Sequence, residues 1–199
     1  MDSLTAVDSL IIQQRKEWGE ILTGFETKNK YAIFNAAGQQ LYYAAEIGGN
    51  FLVRIFLKAW RPFQIAVVNP NNEMVLTLKS PFRFYFRELD VLNTSGQSLG
   101  RIKRRFTLLR RRYTAEDAQG NELLELFGPI LHPWTFEIRR NEQLLGKITK
   151  KWSGLLKEGF TDADNFGVNF PSDWPNEAKA VLLGAVFLID FVHFENKND

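Results

Sequence analysis

Twelve residues from Asp162 to Asp173, DADNFGVNFPSD, carry oxygen ligands at a spacing a hard cation could use. Set in the frame of a calcium-binding loop, Asp162 and Asp164 take the first and third positions and Gly167 the sixth, where the chain must turn sharply. The fifth, seventh and ninth positions are Phe166, Val168 and Phe170, which have only backbone carbonyls to offer. The twelfth is Asp173, shorter than the usual Glu, and Pro171 restricts the backbone. Three carboxylates predict weak calcium binding that needs carbonyl or lipid oxygens to complete its shell. The plainer alternative makes Asp162 and Asp164 loop residues bonded to their own backbone and Asp173 the N-cap of a following helix.

A second constellation is basic. Arg101 to Arg112 reads RIKRRFTLLRRR: Arg101, Lys103, Arg104, Arg105, Arg110, Arg111 and Arg112 with no acidic residue among them, in a chain whose net charge is only +2. The remainder is therefore net acidic, and the stripe favours a phosphate-rich partner, either anionic lipid headgroups or nucleic acid. Two strands with solvated arginine rims are the competing reading. Enzyme chemistry finds little footing. The histidines are His132, in a turn-like LHPW, and His193, and neither a glycine-flanked serine elbow nor a phosphate-cradling glycine loop is present. No enzymatic activity or small-molecule substrate is expected.

These residues must be positioned by a β-rich chain. A length of 199 residues with 45% hydrophobic content suits a single domain, 1–199. Its 17 phenylalanines, 5 tryptophans and 5 tyrosines fill sheets and barrels well. Cysteine is absent, which excludes disulfides, thiolate metal sites and palmitoylated thiols. Met1-Asp2-Ser3 lacks the basic start of a secretory signal.

Leu4, Val7, Leu10, Ile11, Trp18, Ile21 and Leu22 recur near helical spacing and predict an amphipathic helix over 4–22, with Ser3 as its cap and Gly24 as its stop. Barrel hairpins are expected over 25–170. One unit recurs: an apolar run ending in Asn, Asp or Arg, a tight polar turn, then Gln, Asn or Glu and a second run. Its copies centre on Gly38, Asn72, Gly96, Gly120 and Asn141. Gly and Asn supply the positive φ that such turns need. Successive hairpins without long helices satisfy their edges most easily by closing into a barrel, with a sandwich as the alternative.

A helix is expected over 174–195. Ala178 to Phe194, AKAVLLGAVFLIDFVHF, is apolar on nearly every side except at Lys179, Asp190 and His193. Such a helix is buried in a core or a bilayer. The uninterrupted apolar run, Ala180 to Ile189, is half the length a span requires, so the core of a barrel is favoured. Buried there, Asp190 must be neutral or paired, for instance with an arginine of the wall.

Four long strings then carry a resemblance: LTGFETKNKYAIFNAAGQQLYYAAE (22–46), RPF (61–63), GKITKKWSGLLKEGFTDADNFGVNFPSDW (146–174) and KAVLLGAVFLIDFVHFE (179–195). Together they resemble phospholipid scramblases over nearly the whole chain. The resemblance implies a fold similar to the tubby C-terminal domain, mainly β: a closed antiparallel barrel of about twelve strands around the hydrophobic C-terminal helix. It also implies bidirectional, ATP-independent movement of phospholipids between leaflets, triggered by calcium at a segment matching Asp162 to Asp173. Animal members commonly carry a Pro-rich extension and cysteine clusters; this sequence has neither. At the cluster positions stand NFLVRIFLKAW (50–60) and SPFRFYFRELD (80–90). Phe51, Leu52, Ile55, Phe56, Trp60, Phe82, Phe84, Tyr85 and Phe86 could insert into a membrane beside basic anchors, or pack within the barrel wall.

Two classes of function compete: a lipid scramblase, and a peripheral module that reads anionic lipid with the 101–112 stripe. A third, nucleic-acid binding, rests on the same stripe and GKITKKW (146–152) without a recognised motif. The expected location is cytoplasmic, on the inner face of a membrane.

Overall fold

The computed structural model describes residues 2–15, 29–48, 61–83, 85–108, 110–150 and 165–194. After a 3-10 turn at Asp2–Leu4, twelve strands follow. They are β1 (Ser9–Arg15), β2 (Lys30–Asn35), β3 (Gln40–Ile47), β4 (Phe63–Val68), β5 (Met74–Ser80), β6 (Glu88–Leu92), β7 (Ser98–Arg105), β8 (Arg111–Asp117), β9 (Glu122–Gly128), β10 (Thr135–Arg140), β11 (Gln143–Lys150) and β12 (Asn165–Asn169). Each pairs antiparallel with its sequence neighbours, and β1 pairs with β12, so the sheet closes into a barrel without edges. A single helix, α1 (Asn176–His193), runs through it and is buried from Ala178 to Phe191.

The five predicted hairpins all form, and four share one construction. In the first, the backbone N–H groups of Ala37 and Gln39 donate to Asn35 Oδ1, while Asn35 N–H donates to the Gln39 carbonyl. Asn69, Asn93 and Asp117 repeat this pattern. A residue with positive φ sits fourth in each turn, Gly38, Asn72, Gly96 or Gly120, and a bulge follows, as three-residue hairpin loops require. The fifth is a two-residue turn, Asn141-Glu142, with both φ positive. These turns share one end of the barrel. The connections β5–β6 (81–87), β7–β8 (106–110) and β9–β10 (129–134) lie at the other, hereafter the loop end.

The expected helix over 4–22 is corrected. Ser9–Arg15 is strand β1, with Leu10 opposite Val168 and Asn35, and Ile12 opposite Phe166 and Ile33. Leu10 and Ile12 face the core, while Ile11 packs outside with Ala32 and Phe34. Apolar residues on both faces of a short run satisfy helical spacing and a two-sided strand alike; the ladder between β2 and β12 decides, because without it the sheet has two open edges. Residues 16–22 lie outside the described residues.

The helix sits eccentrically, nearest β6, β7 and β8. Gly184 permits this, since a Cβ there would come within 2.8 Å of Val91 Cγ2 and 3.0 Å of Leu89 Cδ2. The position before α1 is Pro175 and no side chain caps it, so Asp173 is not its N-cap. The chain enters α1 at the turn end, where the buried Lys179 ammonium donates to the carbonyls of Leu4 (2.9 Å), Thr5 (2.9 Å) and Ser172 (2.7 Å).

Candidate functional site at the loop end

Strand alternation divides the basic stripe. Arg101, Lys103 and Arg105 of β7 and Arg112 of β8 point out of the barrel, where carboxylates of neighbouring strands meet them. Arg101 Nε lies 2.5 Å from Asp90, Lys103 2.7 Å and Arg105 3.7 Å from Glu116, and Arg112 pairs with Glu125. The bond to Asp90 raises the Arg101 pKa above its ordinary value, and that to Glu125 does the same for Arg112. Arg111 holds the β9–β10 loop, donating to the carbonyls of Pro133 (2.5 Å), His132 (3.2 Å) and Pro129 (3.3 Å), with its guanidinium 4.5 Å over Phe136. Arg104 stands opposite buried Tyr113 in the ladder and so turns inward at the barrel mouth. Arg110 is exposed beside Phe127. The seven predicted lipid contacts therefore do not form one free surface: four are offset by acids, one braces a loop, and Arg104 and Arg110 make no ion pair among the described residues.

Inside the mouth lies a buried ionic layer. Glu46 on β3 pairs with Arg61 and accepts from Asn29 Nδ2 at 2.9 Å. Arg87 donates to the Arg61 carbonyl at 2.8 Å and stacks on Phe63. Asp190 accepts from the Tyr31 hydroxyl at 2.9 Å and faces Lys150 at 3.8 Å, so a tyrosine and a lysine of the wall are among the partners of this buried acid. His193 Nε2 lies 2.7 Å from the Tyr113 hydroxyl. Burial pushes the Tyr113 phenol well above its ordinary pKa, while Arg104, Arg111 and Arg87 pull the other way. Sequence reasoning singled out Asp190 and His193 because a polar residue in an apolar helix is conspicuous. It missed Glu46, Arg87 and Lys150, which look ordinary in the strands and loops that carry them.

Around this mouth the loops display apolar side chains: Phe82, Tyr85 and Phe86 in β5–β6, Phe106 and Leu108 in β7–β8, and Ile130, Leu131 and Trp134 in β9–β10. Phe82, Tyr85 and Phe86 belong to a loop and not to the wall, since β5 ends at Ser80. Phe51, Leu52, Ile55, Phe56, Trp60 and Phe84 lie outside the described residues.

Of the expected calcium segment, the structure describes residues 165–173. Asp162 and Asp164 lie outside the described residues. Phe166 and Val168 are in strand β12, laddered to β1 and β11, with side chains buried in the core; Phe170 is also buried. A strand of five residues spans about 17 Å, which sets exposed Asp173 at the turn end, away from the strand's start. Among the described residues no group of three His, Asp or Glu could hold a metal ion.

A family model for Scramblase matches residues 1–196. The chain belongs to the scramblase family. That family is neither hydrolytic nor redox in its chemistry. The chain is similar to phospholipid scramblase 1 of Rattus norvegicus, 35% identical over 98% of this chain and 62% of that protein. It is 35% identical to phospholipid scramblase 1 of Homo sapiens, over 98% of this chain and 66% of that one. A phospholipid scramblase family protein of Schizosaccharomyces pombe is 30% identical over 96% and 60%. This scramblase-family chain thus spans about 62–66% of the length of the mammalian scramblase 1 relatives. In fold it is similar to a crystal structure of an Arabidopsis thaliana protein, with a TM-score of 0.50 and 12% identity over 95% of each chain.

Proposed function

We propose that this chain acts on membrane phospholipids from the surface of the bilayer, with anionic lipid as its ligand and transbilayer lipid movement as the activity its family points to. The observation that carries the surface reading is the outer wall of β6 to β10. Asp90, Arg101, Lys103, Arg112, Glu125, Glu137 and Arg139 alternate there with buried apolar residues. A barrel wall facing hydrocarbon carries the opposite pattern, apolar outside, and each Arg or Lys at the bilayer midplane costs about 2–4 kcal/mol. No helix among the described residues is long and apolar enough to cross a membrane. The carboxylates that offset the stripe lower its field for nucleic acid and anionic lipid alike, so the lipid reading does not rest on the stripe.

The test is reconstitution into liposomes holding a fluorescent phospholipid, followed by an impermeant quencher, with and without calcium. Calcium enters as a variable of the experiment and not as a step of the mechanism. Quenching beyond the outer-leaflet fraction, above leakage controls, establishes movement between leaflets, and its loss in Asp162→Ala assigns the ion to that segment. Vesicle-bound protein with quenching confined to the outer leaflet leaves a surface lipid reader. Failure to bind anionic vesicles at all overturns the proposal.

A further inference from the structure

The two ends of the barrel differ in chemistry. The five tight turns carry Glu73, Asp117, Glu122 and Glu142 at or beside them, against one adjoining basic residue, Arg140 at the fifth. Among the described residues their large exposed apolar neighbours are Met74 and Leu144, each alone near a strand start. The loop end is the reverse. Its three described loops lie side by side on consecutive strands β5 to β10 and form an arc over half the mouth. Tyr85, Phe86, Phe106, Leu108, Ile130 and Leu131 are each more than half exposed on that arc, with Leu108 and Leu131 at 87%. Single exposed apolar residues are ordinary on a soluble surface; a gathering on adjacent loops at one end marks an interaction face.

We propose that this arc is the membrane-docking face: the tips of the β5–β6, β7–β8 and β9–β10 loops insert among the acyl chains of an anionic bilayer, and the barrel axis stands towards the membrane. The proposal rests on the surface reading above and adds which face meets the lipid. Charge chooses the occupant. Arg83, Arg104, Arg105 and Arg110 are carried on the same loops or the strand ends beside them. Arg104 and Arg110 make no ion pair among the described residues, so their guanidiniums can meet lipid phosphates while the neighbouring apolar tips enter below them. Aromatic tips beside arginine are suited to the headgroup boundary, where a ring has one apolar and one wet side. The acidic turn end is repelled by the same surface. Docking this way brings the C-terminal end of α1 and the ionic layer of Glu46, Arg61, Arg87 and Asp190 to the membrane side.

The absence of cysteine makes the test direct, since one introduced thiol is a unique label site. Tyr85→Cys, Leu108→Cys and Leu131→Cys change exposed side chains; Asn71→Cys and Thr94→Cys in the turns are controls. Each carries an environment-sensitive fluorophore and is mixed with phosphatidylserine-containing vesicles or pure phosphatidylcholine vesicles. The expected result is a blue shift and quenching by acyl-chain nitroxide lipid at the three loop positions and neither at the controls, with phosphatidylserine required. Leu108→Asp with Leu131→Asp should weaken vesicle affinity by about tenfold or more per residue while leaving thermal unfolding unchanged. If the protein sediments with vesicles but the loop labels stay aqueous, docking uses another face and this inference is overturned while the surface reading stands. Loop labels already shifted without vesicles, in a species of twice the mass, assign the arc to a second copy and also overturn it. No sedimentation with anionic vesicles sinks the surface reading itself, and this inference with it.

Discussion

Tyr113 and Lys179 mark the two ends of the core and titrate in ways that can be measured. The Tyr113 phenol is fully buried, and desolvation raises its pKa. An acid raised in the fold keeps its proton while the same group in the unfolded chain ionises near pH 10, so its contribution is complete below about pH 10 and is lost as pH climbs towards the folded value. Tyr113→Phe removes that titration together with the contact to His193. Urea titrations from about pH 8 to 11 should show the variant less stable at the lower value and the difference shrinking as pH rises; parallel loss in both proteins would show that the phenol is not held neutral. Lys179 is the converse, a base whose pKa burial lowers, against the opposing pull of Asp173 and Asp8. Lys179→Met leaves three carbonyls without their ammonium and should cost about 2–4 kcal/mol, with faster amide exchange in residues 4–8. Little of this was legible in the sequence. Asp190 and His193 announced themselves, but their partners Tyr31 and Tyr113 are 159 and 80 residues away. Likewise the stripe's charge could be counted, whereas the acids that offset it are placed by strand register.

At the scale of elements, local chemistry was legible and long-range choice was not. Each hairpin declares itself within about five residues, because an Asn or Asp that accepts two N–H groups and a residue at positive φ specify the turn without help from the rest of the fold. Asn93→Ala should therefore cost about 1 kcal/mol, read as a lower urea midpoint at unchanged slope, since its two accepting bonds are exposed. Strand β1 is the opposite case: its identity depends on β12, some 150 residues later, and residues 9–15 alone satisfy helix and strand spacing equally. The 162–173 segment shows the same dependence, because spacing along a chain becomes separation in space once Asn165–Asn169 is extended. Packing of α1 against β6 and β7 also leaves a mark at one position. Gly184→Val would gain helix propensity, yet its methyls would enter the space of Val91, Leu89 and Ile102. Overpacking should win by about 1–3 kcal/mol, seen as a lower unfolding temperature.

The whole molecule is a closed barrel whose core is largely a single helix, and this constrains how it can work on lipid. Burial of α1 from Ala178 to Phe191 includes Val181, Leu182, Leu183, Val186, Phe187, Leu188, Ile189 and Phe191. At about 2 kcal/mol for each large side chain, returning these to water costs roughly 16 kcal/mol, at or above the entire stability of an ordinary domain. A bilayer could receive the helix, but the strand residues that face it would then have no partner, and Lys179 and Asp190 would enter hydrocarbon without the carbonyls and hydroxyl that now hold them. The helix is therefore expected to stay inside while the loops meet the membrane. Amide exchange followed by mass spectrometry, on protein alone and on protein bound to anionic vesicles, separates the two cases. Retained protection across residues 181–189, with slowing confined to 81–87, 106–110 and 129–134, is the expected pattern. Loss of protection in α1 together with β6, β7 and β8 would mean that the barrel opens to release its core, and lipid movement would then have to be explained by an unfolded wall and an inserted helix.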